Sequence, residues 1–596
     1  MSMQTLGTST LSEERRETSA WSLLKRVVKD LAKYKLAMIL ISISIATYSL
    51  TSLASPYVLS IIIDEYILKG NLQDLPILVS LYMLLLIGQW ASMTTNTYYI
   101  QKVGQLYLRD LRNKLFSKLQ ELSIKFFNKR RIGDLVSAII NDTSTLNDVL
   151  ISGILSVLGH LISLVGVIAI MIYMSPSLTA VALANIPLLV VIARVFGIKL
   201  KEAHRIVRRN VADATIIVEE SIAGISTIKV FGNEGNVLRT FSNISNNIVK
   251  AFVKVAKLMG LFWPSMDLSV TLSTVFVLIF GGYMVSIGAI SIGVVIAFIQ
   301  YVNRLARPIT EFINMYDSLQ AAIASAERIF AILDSKEVEY DRHDAIELRY
   351  PRGEIELRNI SFSYIPGKPV LRNVNLRIRP GEVVAIVGRT GVGKTTLINL
   401  IMRFYDPDEG QILIDGVDIR RLKLSNLRRI ISYIPQETYL FPGTIMENIK
   451  LGNPEASDEE IITVCKRLGI HEFIERLPKG YMTDAGEMGK KLSTGEKQLI
   501  AIARAMLRNP AIVIFDEAMS SIDVVTEALL KRAMRRLLRG RTGIIIAHRL
   551  STIMDCDRII VLEDGKIIEE GRHHELLKVK GKYYELYESM IRAFTS

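Results

Sequence analysis

The sequence has very little cysteine and no apolar run in its first 20 residues, and each of these features argues against a class of protein. Only Cys465 and Cys556 occur in its 596 residues. They lack the paired spacing of a zinc site or of a disulfide framework. We therefore expect both to be reduced structural thiols in a cytosolic domain. Residues 1–20 are polar and charged and have no apolar core, so they are not expected to form a secretory signal peptide.

Acidic residues are also in the minority, and the formal net charge is +13. A basic chain can bind nucleic acid, but that function requires Lys and Arg to form one patch or stripe. Here they concentrate in the connections between particular apolar segments, which is the distribution that membrane topology requires. The sequence predicts a protein of the lipid bilayer and no nucleic-acid partner.

Long apolar runs occupy the first half of the chain. A helix that crosses the hydrocarbon core needs about 20 apolar residues. The runs predict a bundle of six transmembrane helices, at Leu36–Ile63, Leu75–Ile100, Leu150–Met174, Ser177–Leu200, Leu258–Ser286 and Ile290–Leu305. Ser175 and Pro176 leave only a tight turn between the third and fourth spans.

The charges of the connections predict the orientation of the bundle. The connections after the second and fourth spans are rich in Lys and Arg, whereas those after the first, third and fifth carry little or no positive charge. Positive charge favours the cytoplasm, so both long connections and both termini are expected inside a multi-pass protein of the cell (inner) membrane. Apolar residues at three- and four-residue spacing predict that these connections are helical and extend the spans well beyond the bilayer.

A glycine-rich loop follows a short buried-type strand at Val383–Val387. It has the pattern G-x-x-x-x-G-K-T and opens a helix, which is the context of a phosphate-binding loop. The loop backbone can turn its N–H groups toward phosphate oxygens, and the helix N-terminus adds a favourable dipole. We assign nucleotide binding to Gly388, Arg389, Thr390, Gly391, Val392, Gly393, Lys394, Thr395 and Thr396.

Other side chains of this region supply charge and metal ligands. Lys394 is a point charge for phosphate, and Thr395 offers an oxygen to Mg²⁺. The apolar strand that begins at Ile512 ends in two carboxylates, Asp516 and Glu517. Asp516 is expected to hold the metal, and Glu517 to polarise the attacking water as general base. Together these motifs predict a domain that hydrolyses ATP with Mg²⁺.

The sequence at this point resembles ATP-binding cassette (ABC) proteins, and the resemblance extends beyond two generic ATPase motifs. It implies that Tyr364 stacks on adenine and that Gln436 senses the magnesium ion and the membrane domain. It implies that His548 is the switch histidine that contacts the terminal phosphate. His548 and Gln436 therefore join Glu517 as catalytic residues, and Gln436 joins the metal ligands.

Further motifs carry the same resemblance. Ser520–Asp523 is similar to the loop that crosses the dimer interface of the family, and Asp523 is its nucleotide-site residue. Leu492–Glu496 occupies the place of the family signature, just ahead of a helix that is expected to begin near Lys497. Ser493 and Gly495 are therefore implied to contact the ATP held by the opposite subunit. Thr483–Glu487 is similar to the exporter-specific loop that faces the membrane domain.

The first half of the chain resembles the exporter branch of that family. The resemblance rests on residues of the two long connections: Phe126, Phe127, Gly133, Asp134, Glu220, Gly224, Ile228, Lys229, Phe231 and Glu234. A membrane domain followed by one cassette is the order of a half-transporter. Because two cassettes must meet head to tail, the resemblance implies a second half-transporter subunit as partner.

The whole chain is thus expected to be a membrane α-helical bundle fused to an α/β P-loop nucleotide-binding domain. Residues 1–35 form a cytoplasmic segment with an interfacial helix, and residues 36–333 form the transmembrane domain. Residues 334–353 are a linker, and residues 354–596 are the ABC nucleotide-binding domain. The implied function is ATP-driven export by alternating access. Hydrophobic, drug-like small molecules are the leading cargo, with lipid or lipopeptide flipping and a nucleotide-gated channel as alternatives.

The signature departs from the usual Leu-Ser-Gly-Gly-Gln, because it reads Leu-Ser-Thr-Gly-Glu. Thr494 adds a branched side chain where glycine would allow close approach. Glu496 adds negative charge near an anionic ligand, which is unfavourable in a poorly hydrated site. We expect a heterodimer whose partner supplies a standard signature to the intact catalytic set of this chain. The alternative is that Thr494 and Glu496 are tolerated variants.

Ionisable and polar residues within the spans are candidates for contact with the cargo. Asp267 is expected to meet a cation or a proton, or to pair with a basic residue such as Arg304 or Arg307. His160 is expected to be a hydrogen-bonded packing residue or a proton relay. Gln300 and Asn303 are expected to line the pathway or to bridge helices.

Overall fold

The computed structural model describes residues 20–70, 73–516, 523–547 and 550–595. The chain divides into two compact units. The first contains the chain up to Glu121 together with Lys129–Lys336, and the second contains Leu122–Asn128 and the chain from Glu337 onward. The division after Lys336 falls within the predicted linker, whereas the segment Leu122–Asn128 groups with the second unit.

Helices make up almost all of the described chain before residue 334. They are α1 (Ala20–Leu31), α2 (Lys35–Ile61), α3 (Leu75–Glu121), α4 (Ile124–Asn128), α5 (Ile132–Ser137), α6 (Thr143–Asn147), α7 (Ile154–Met174), α8 (Pro176–Leu183), α9 (Ile186–Ala223), α10 (Ile225–Val230), α11 (Glu234–Ser286) and α12 (Ile292–Leu333). Three π-helical segments interrupt this part of the chain, at Ile62–Ile67, Ala138–Asp142 and Asp148–Gly153.

Each predicted span is mostly helical, although the fourth is divided between α8 and α9. The helical stretches Lys25–Ile67, Leu75–Glu121, Pro176–Ala223 and Glu234–Ser286 are long and apolar enough to cross a membrane. The third and sixth spans contain shorter apolar helices, Gly159–Met174 and Ile292–Leu305. The predicted helical bundle is therefore confirmed. The start predicted for the third span at Leu150 falls in a π-helical segment, and α7 itself begins at Ile154.

Several of these helices are longer than a bilayer requires. Helix α3 has 47 residues, α11 has 53 and α12 has 42. At 1.5 Å per residue α11 is about 80 Å long, against a hydrocarbon core of about 30 Å. The predicted extensions beyond the spans are confirmed. Between α7 and α8 the hydroxyl of Ser175 accepts from the backbone N–H of Leu178, which makes the predicted tight turn a helix cap.

The second unit is built on two sheets. Its strands are β1 (Ile355–Phe362), β2 (Leu371–Ile378), β3 (Val383–Val387), β4 (Glu409–Ile414), β5 (Val417–Asp418), β6 (Ile431–Ile434), β7 (Ile512–Asp516), β8 (Thr542–Ile546), β9 (Arg558–Glu563) and β10 (Lys566–Gly571). An antiparallel sheet has the order β2-β1-β4-β5, and a second sheet has the order β10-β9-β3-β8-β7-β6. All pairs of the second sheet are parallel except the edge pair β10–β9.

Helices follow and connect the strands of the second unit. They are α13 (Lys394–Ile401), α14 (Leu424–Ile430), α15 (Ile445–Lys450), α16 (Asp458–Leu468), α17 (His471–Glu475), α18 (Thr494–Arg508), α19 (Val524–Leu538), α20 (Leu550–Ile553), α21 (His573–Val579) and α22 (Lys582–Thr595). The central strands β7 and β8 are buried along their whole length. Strands covered on both faces read as continuous apolar runs, which explains why the sequence revealed them.

Helix α4 packs within the second unit. The N–H of Ser123 donates to the carbonyl of Glu337 at 2.9 Å, and Nδ2 of Asn128 donates to the hydroxyl of Tyr405 at 2.8 Å. The Phe126 side chain is fully buried and meets the ring of Phe127 edge-on. The turning point of the first long connection is therefore a short helix that belongs structurally to the sheet-containing unit.

Candidate nucleotide site

The phosphate-binding loop lies between β3 and α13, where the sequence predicted it. Gly388 has a φ of +153°, and a Cβ there would lie 2.3 Å from the carbonyl oxygen of Leu562. Gly393 has a φ of +106° and forms the N-cap of α13. Both positions therefore require glycine, because a side chain would be strained and would clash with neighbouring chain.

Lys394 and two threonines begin α13. The Lys394 side chain is 7% exposed, and its Nζ donates to the carbonyls of Gly388 at 2.7 Å and Arg389 at 3.1 Å. Its ammonium group is thus held over the loop backbone. Thr395 is exposed and Thr396 is buried. The loop residues Arg389, Thr390 and Gly391 are exposed, and Val392 is half-buried.

Tyr364 lies beside this helix. Its hydroxyl donates to Oγ1 of Thr396 and accepts from Nδ2 of Asn399, both at 3.3 Å. Its ring meets the rings of Phe362 and Tyr405 edge-on, with centroids 4.9 Å and 5.1 Å apart. The structure thus brings the aromatic residue predicted to stack on adenine to the first turn of the phosphate-loop helix.

The strand ends converge at one edge of the parallel sheet. Asp516 pairs with Ile546 of β8, and Ile386 of β3 pairs with the same residue from the other side. The carboxyl ends of adjacent parallel strands meet at the same edge, so Asp516 lies one strand away from the end of β3. The hydroxyl of Tyr433, on β6, donates to Oδ2 of Asp516 at 3.0 Å.

Burial affects both the Asp516 carboxylate and its hydrogen-bond partner Tyr433. Asp516 is only 8% exposed. Burial, with the nearby Asp516 charge and hydrogen bond, raises the pKa of Tyr433 above its usual range. The phenol therefore remains a hydrogen-bond donor at physiological pH and holds the orientation of the carboxylate.

Gln436 follows β6 and is exposed. Its backbone carbonyl accepts from Nε2 of Gln498, a residue of α18 that is 2% exposed. This contact, at 3.4 Å, joins the glutamine loop to the helix that carries the signature. Neither Tyr433 nor Gln498 was predicted as a site residue, because their roles depend on which strand and helix become neighbours.

Two of the three predicted catalytic residues fall in segments that are not described. Glu517 and His548 lie outside the described residues, as do Ser520, Ser521 and Ile522. The strands that precede Glu517 and His548, β7 and β8, are adjacent and parallel. Asp523 is described, and its Oδ1 accepts from the N–H of Thr526 at 2.9 Å as the N-cap of α19.

The signature residues open a helix earlier than the sequence analysis expected. A start near Lys497 was predicted, but α18 begins at Thr494 with Ser493 as N-cap. Ser493 and Glu496 form a capping box, and Gly495 is buried whereas Thr494 is exposed. The earlier start has a physical reason that is visible in the sequence, because Ser-x-x-Glu ahead of an apolar run is the pattern of a helix start.

The geometry above defines a P-loop ATP-binding unit joined to a helical membrane unit, and comparisons with known proteins agree. The model of the ABC transporter transmembrane region matches residues 38–309, and the ABC transporter model matches residues 371–520. The chain is 38% identical to the uncharacterized ABC transporter ATP-binding protein YfiC of Bacillus subtilis (strain 168), over 95% of this chain and 94% of the relative.

Two other similarities concern named exporters. The chain is 36% identical to an ATP-dependent lipid A-core flippase of Syntrophus aciditrophicus (strain SB), over 95% of this chain and 93% of that protein. It is also similar to the solved structure of a bacterial Atm1-family ABC exporter with ATP bound, with a TM-score of 0.76 and 30% identity. That match covers 94% of this chain and 98% of the other.

The chain belongs to the ABC transporter family, and its fold is that of an exporter half-transporter. It binds ATP and is an ATPase that drives export across a membrane. It spans that membrane, and its ATP-binding unit is cytoplasmic. ABC exporters work as dimers in the lipid bilayer, so the chain functions with a second subunit.

Proposed function

We propose that this protein exports hydrophobic or amphipathic compounds by alternating access, driven by hydrolysis of magnesium-bound ATP. The observation that carries the proposal is the register of the parallel sheet. It places buried Asp516 one strand from the phosphate loop, in a chain that also carries the helical bundle. Closure of two ATP-binding units would turn the bundle outward, and hydrolysis would reset it.

The proposed metal site consists of Thr395, Gln436 and Asp516. Their hydroxyl, amide and carboxylate oxygens are the hard donors that Mg²⁺ prefers, and they fit this ion. Bound there, the ion would neutralise charge on the phosphates as the terminal bond breaks. The Tyr433 hydroxyl supports the assignment, because a bonded carboxylate is already oriented before metal binds.

The proposed chemistry gives each site residue one task. Lys394 and the loop N–H groups bind phosphates, Glu517 polarises the attacking water, and His548 contacts the terminal phosphate. Tyr364 stacks on adenine. Ser493, Gly495 and Asp523 act across the dimer interface on the ATP of the opposite subunit.

We propose a heterodimer in preference to a homodimer. In a homodimer both ATP sites would contain Thr494 and Glu496 in the signature. In a heterodimer the partner can supply a standard signature to the catalytic set of this chain. The altered signature would then face a partner site of low activity.

The proposed cargo is inferred from the apolar character of the spans and from similarity to exporters of named cargo. Relatives include a putative multidrug export protein of Bacillus subtilis, 34% identical, and the lipid A-core flippase described above. Drug-like hydrophobic compounds are the first candidate, and lipids or lipopeptides the second. Both need a pathway through the bundle that accepts bulky apolar groups. We propose the orientation that the connections predict, with both termini and both long connections in the cytoplasm of the cell.

Replacement of Glu517 by Gln in the purified assembly tests the proposed role of this chain. We expect ATP hydrolysis to fall by at least about a hundredfold while ATP binding persists, because only the general base is removed. Glu563→Gln is the matched control, since Glu563 is a carboxylate that ends another strand, β9, of the same sheet. Substantial hydrolysis in the Glu517 variant would show that the principal catalytic base lies elsewhere. The polypeptide that co-purifies with the chain would identify the partner.

A further inference from the structure

Arg304 places a positive charge in the interior of the membrane unit. It is half-buried and lies twelve residues after the first residue of α12. At 1.5 Å per residue this is about 18 Å along the helix, less than the thickness of a hydrocarbon core of about 30 Å, and Arg304 lies in the second half of the sixth span. A charged side chain at that depth is costly and is a functional candidate by default.

Among the described residues, the guanidinium of Arg304 bonds to neutral groups of α2. It donates to the carbonyl and hydroxyl oxygens of Ser52, the latter at 2.7 Å, and to the hydroxyl of Ser55 at 3.3 Å. In the described part of the chain no carboxylate pairs with it. Asp267 does not pair with Arg304, which was one of its predicted partners, and Asp267 is exposed.

Pro56 explains why a donor is needed at this place. Proline has no backbone N–H, so the carbonyl of Ser52, four residues earlier, loses its backbone partner and accepts only a long bond, at 3.5 Å, from the Ser55 hydroxyl of the same helix. Arg304 supplies a bond to that carbonyl. One turn earlier on α12 the Tyr301 hydroxyl donates to the next carbonyl, that of Leu53, at 2.7 Å. The two side chains together hold the proline-containing part of α2.

This structural role accounts for a donor but not for a charge. Tyr301 performs the same task with a neutral hydroxyl, which costs far less to bury than a guanidinium. The acceptors around Arg304 carry no compensating negative charge. A positive group that is fixed within a span and has no counter-ion among the described residues would interact favourably with an anion that enters the bundle.

Ser49 provides a second, independent observation. Its side chain is 3% exposed, and its hydroxyl has no hydrogen-bond partner among the described residues. Ser49 precedes Ser52 by three residues, so the two lie on the same face of α2. A buried hydroxyl without a partner is unusual and suggests a polar group that is bound only part of the time. Gln300 precedes Arg304 by one turn of α12 and is half-buried, so it adds an amide on that side.

We propose that Arg304, with the hydroxyls of Ser49 and Ser52, binds the carboxylate or phosphate headgroup of an amphipathic molecule carried by this exporter. The inference rests on the proposed function and narrows its cargo to anionic amphiphiles. The planar guanidinium can donate two parallel bonds to either headgroup, and the serine hydroxyls can rotate to donate as well. The apolar tail of the molecule would remain among the apolar side chains of the spans.

The experiment compares probes that share a tail and differ in charge. The intact dimer is reconstituted in nanodiscs of uncharged phosphatidylcholine at pH 8. Palmitate, hexadecyl phosphate and hexadecanol are measured for binding without ATP and for stimulation of ATPase activity. For the unmodified protein we expect palmitate, hexadecyl phosphate or both to bind at least about tenfold more tightly than hexadecanol, the order of one charge-assisted hydrogen bond. A preference between palmitate and hexadecyl phosphate identifies the headgroup.

Three variants separate the charge from the structural bond. Arg304→Gln keeps an N–H donor and loses the charge, so it should lose the preference for anions while hexadecanol binding persists. Arg304→Lys keeps the charge and should retain part of the preference. Tyr301→Phe removes the neighbouring bond to α2 without changing charge, and should leave the ratio between anion and alcohol unchanged.

Two results would overturn the proposal. The first is equal binding of palmitate, hexadecyl phosphate and hexadecanol by the unmodified protein. The second is that Arg304→Gln weakens the binding of the anions and of hexadecanol by the same factor. That result would assign Arg304 a structural role only. In either case, stimulation of the ATPase activity by hexadecanol would still support the proposed function of ATP-driven export. If Arg304→Gln does not fold, the ratio of anion binding to hexadecanol binding is compared between Arg304→Lys and Tyr301→Phe. An equal fall of this ratio in both variants would overturn the proposal.

Discussion

The backbone N–H of Ser493 donates to Oε2 of Glu496 at 2.7 Å, and the N–H of Glu496 donates to the Ser493 hydroxyl at 3.3 Å. The carboxylate of Glu496 thus lies at the N-terminus of α18, where the helix dipole stabilises negative charge. The residue that departs from the usual signature therefore has a structural role. Its charge stays close to the place where the signature would meet a phosphate.

Replacement of Glu496 separates these two effects. Glu496→Gln keeps an acceptor oxygen for Ser493 and removes the charge, so we expect little loss of stability and a lower KM for ATP. Glu496→Ala also removes the bond and should destabilise the ATP-binding unit by about 1 kcal/mol. ATPase kinetics and thermal denaturation of the purified assembly measure both quantities.

A matched control exists in α16, where Ser457 and Glu460 form the same capping box. Glu460→Ala should cost similar stability without a change in KM. An unchanged KM in Glu496→Gln would contradict the idea that this charge disfavours the phosphate.

Tyr433 positions the proposed metal ligand Asp516. Tyr433→Phe keeps the ring and removes the hydroxyl that donates to the carboxylate. We expect the Mg²⁺ concentration for half-maximal ATPase activity to rise about tenfold, as for other residues that orient metal ligands. A Mg²⁺ titration at fixed ATP measures this shift. Tyr439→Phe, at an exposed ring of the following loop, should leave the titration unchanged. An unchanged midpoint in Tyr433→Phe would remove Tyr433 from the metal site.

Two glycines of the phosphate loop, Gly388 and Gly391, should differ in how well they tolerate substitution by alanine. Gly391 has a φ of +88° and open space where a Cβ would lie, so Gly391→Ala should cost about 1–2 kcal/mol of backbone strain only. Gly388→Ala adds a clash with the carbonyl of Leu562 and should abolish binding of a fluorescent ATP analogue. Gly367→Ala, a turn position with a similar φ and open surroundings, reports the strain alone. Equal binding by the Gly388 and Gly391 variants would refute the close approach to Leu562.

Both cysteines should react slowly in the folded protein. Burial raises the pKa of Cys465 to about 11 and that of Cys556 to about 12, from a usual value near 9. Because only the thiolate reacts, a pKa of about 11 lowers the reactive fraction at pH 8 about a hundredfold. Alkylation by iodoacetamide, followed by mass spectrometry, should therefore be slow and should accelerate about tenfold per pH unit between pH 8 and pH 10. Rapid alkylation of the folded protein at pH 8 would show that the thiols are accessible and ionised, and denatured protein provides the fast reference.

Elements that depend on local sequence were predictable, whereas contacts between distant residues were not. The strand Val383–Val387 coincides with β3 because a buried parallel strand is apolar at every position. The start of α18 was wrong by three residues, although the local Ser-x-x-Glu pattern contained the information. The pairing of Asp267 with Arg304 could not be decided from spacing, because the orientations of two helices determine whether side chains on them meet.

The sequence by itself determined that this chain is an exporter half-transporter. Hydrophobic length, the phosphate-loop pattern and the positions of charged connections are local properties, and they specify the membrane spans and the ATP-binding unit. Tertiary structure alone decided that Tyr433 bonds to Asp516, that Gln498 meets Gln436, and that Arg304 reaches the carbonyl freed by Pro56. Each of these contacts joins residues far apart in the chain. Their partners are chosen by strand order and helix packing, which a single sequence does not encode as a readable pattern.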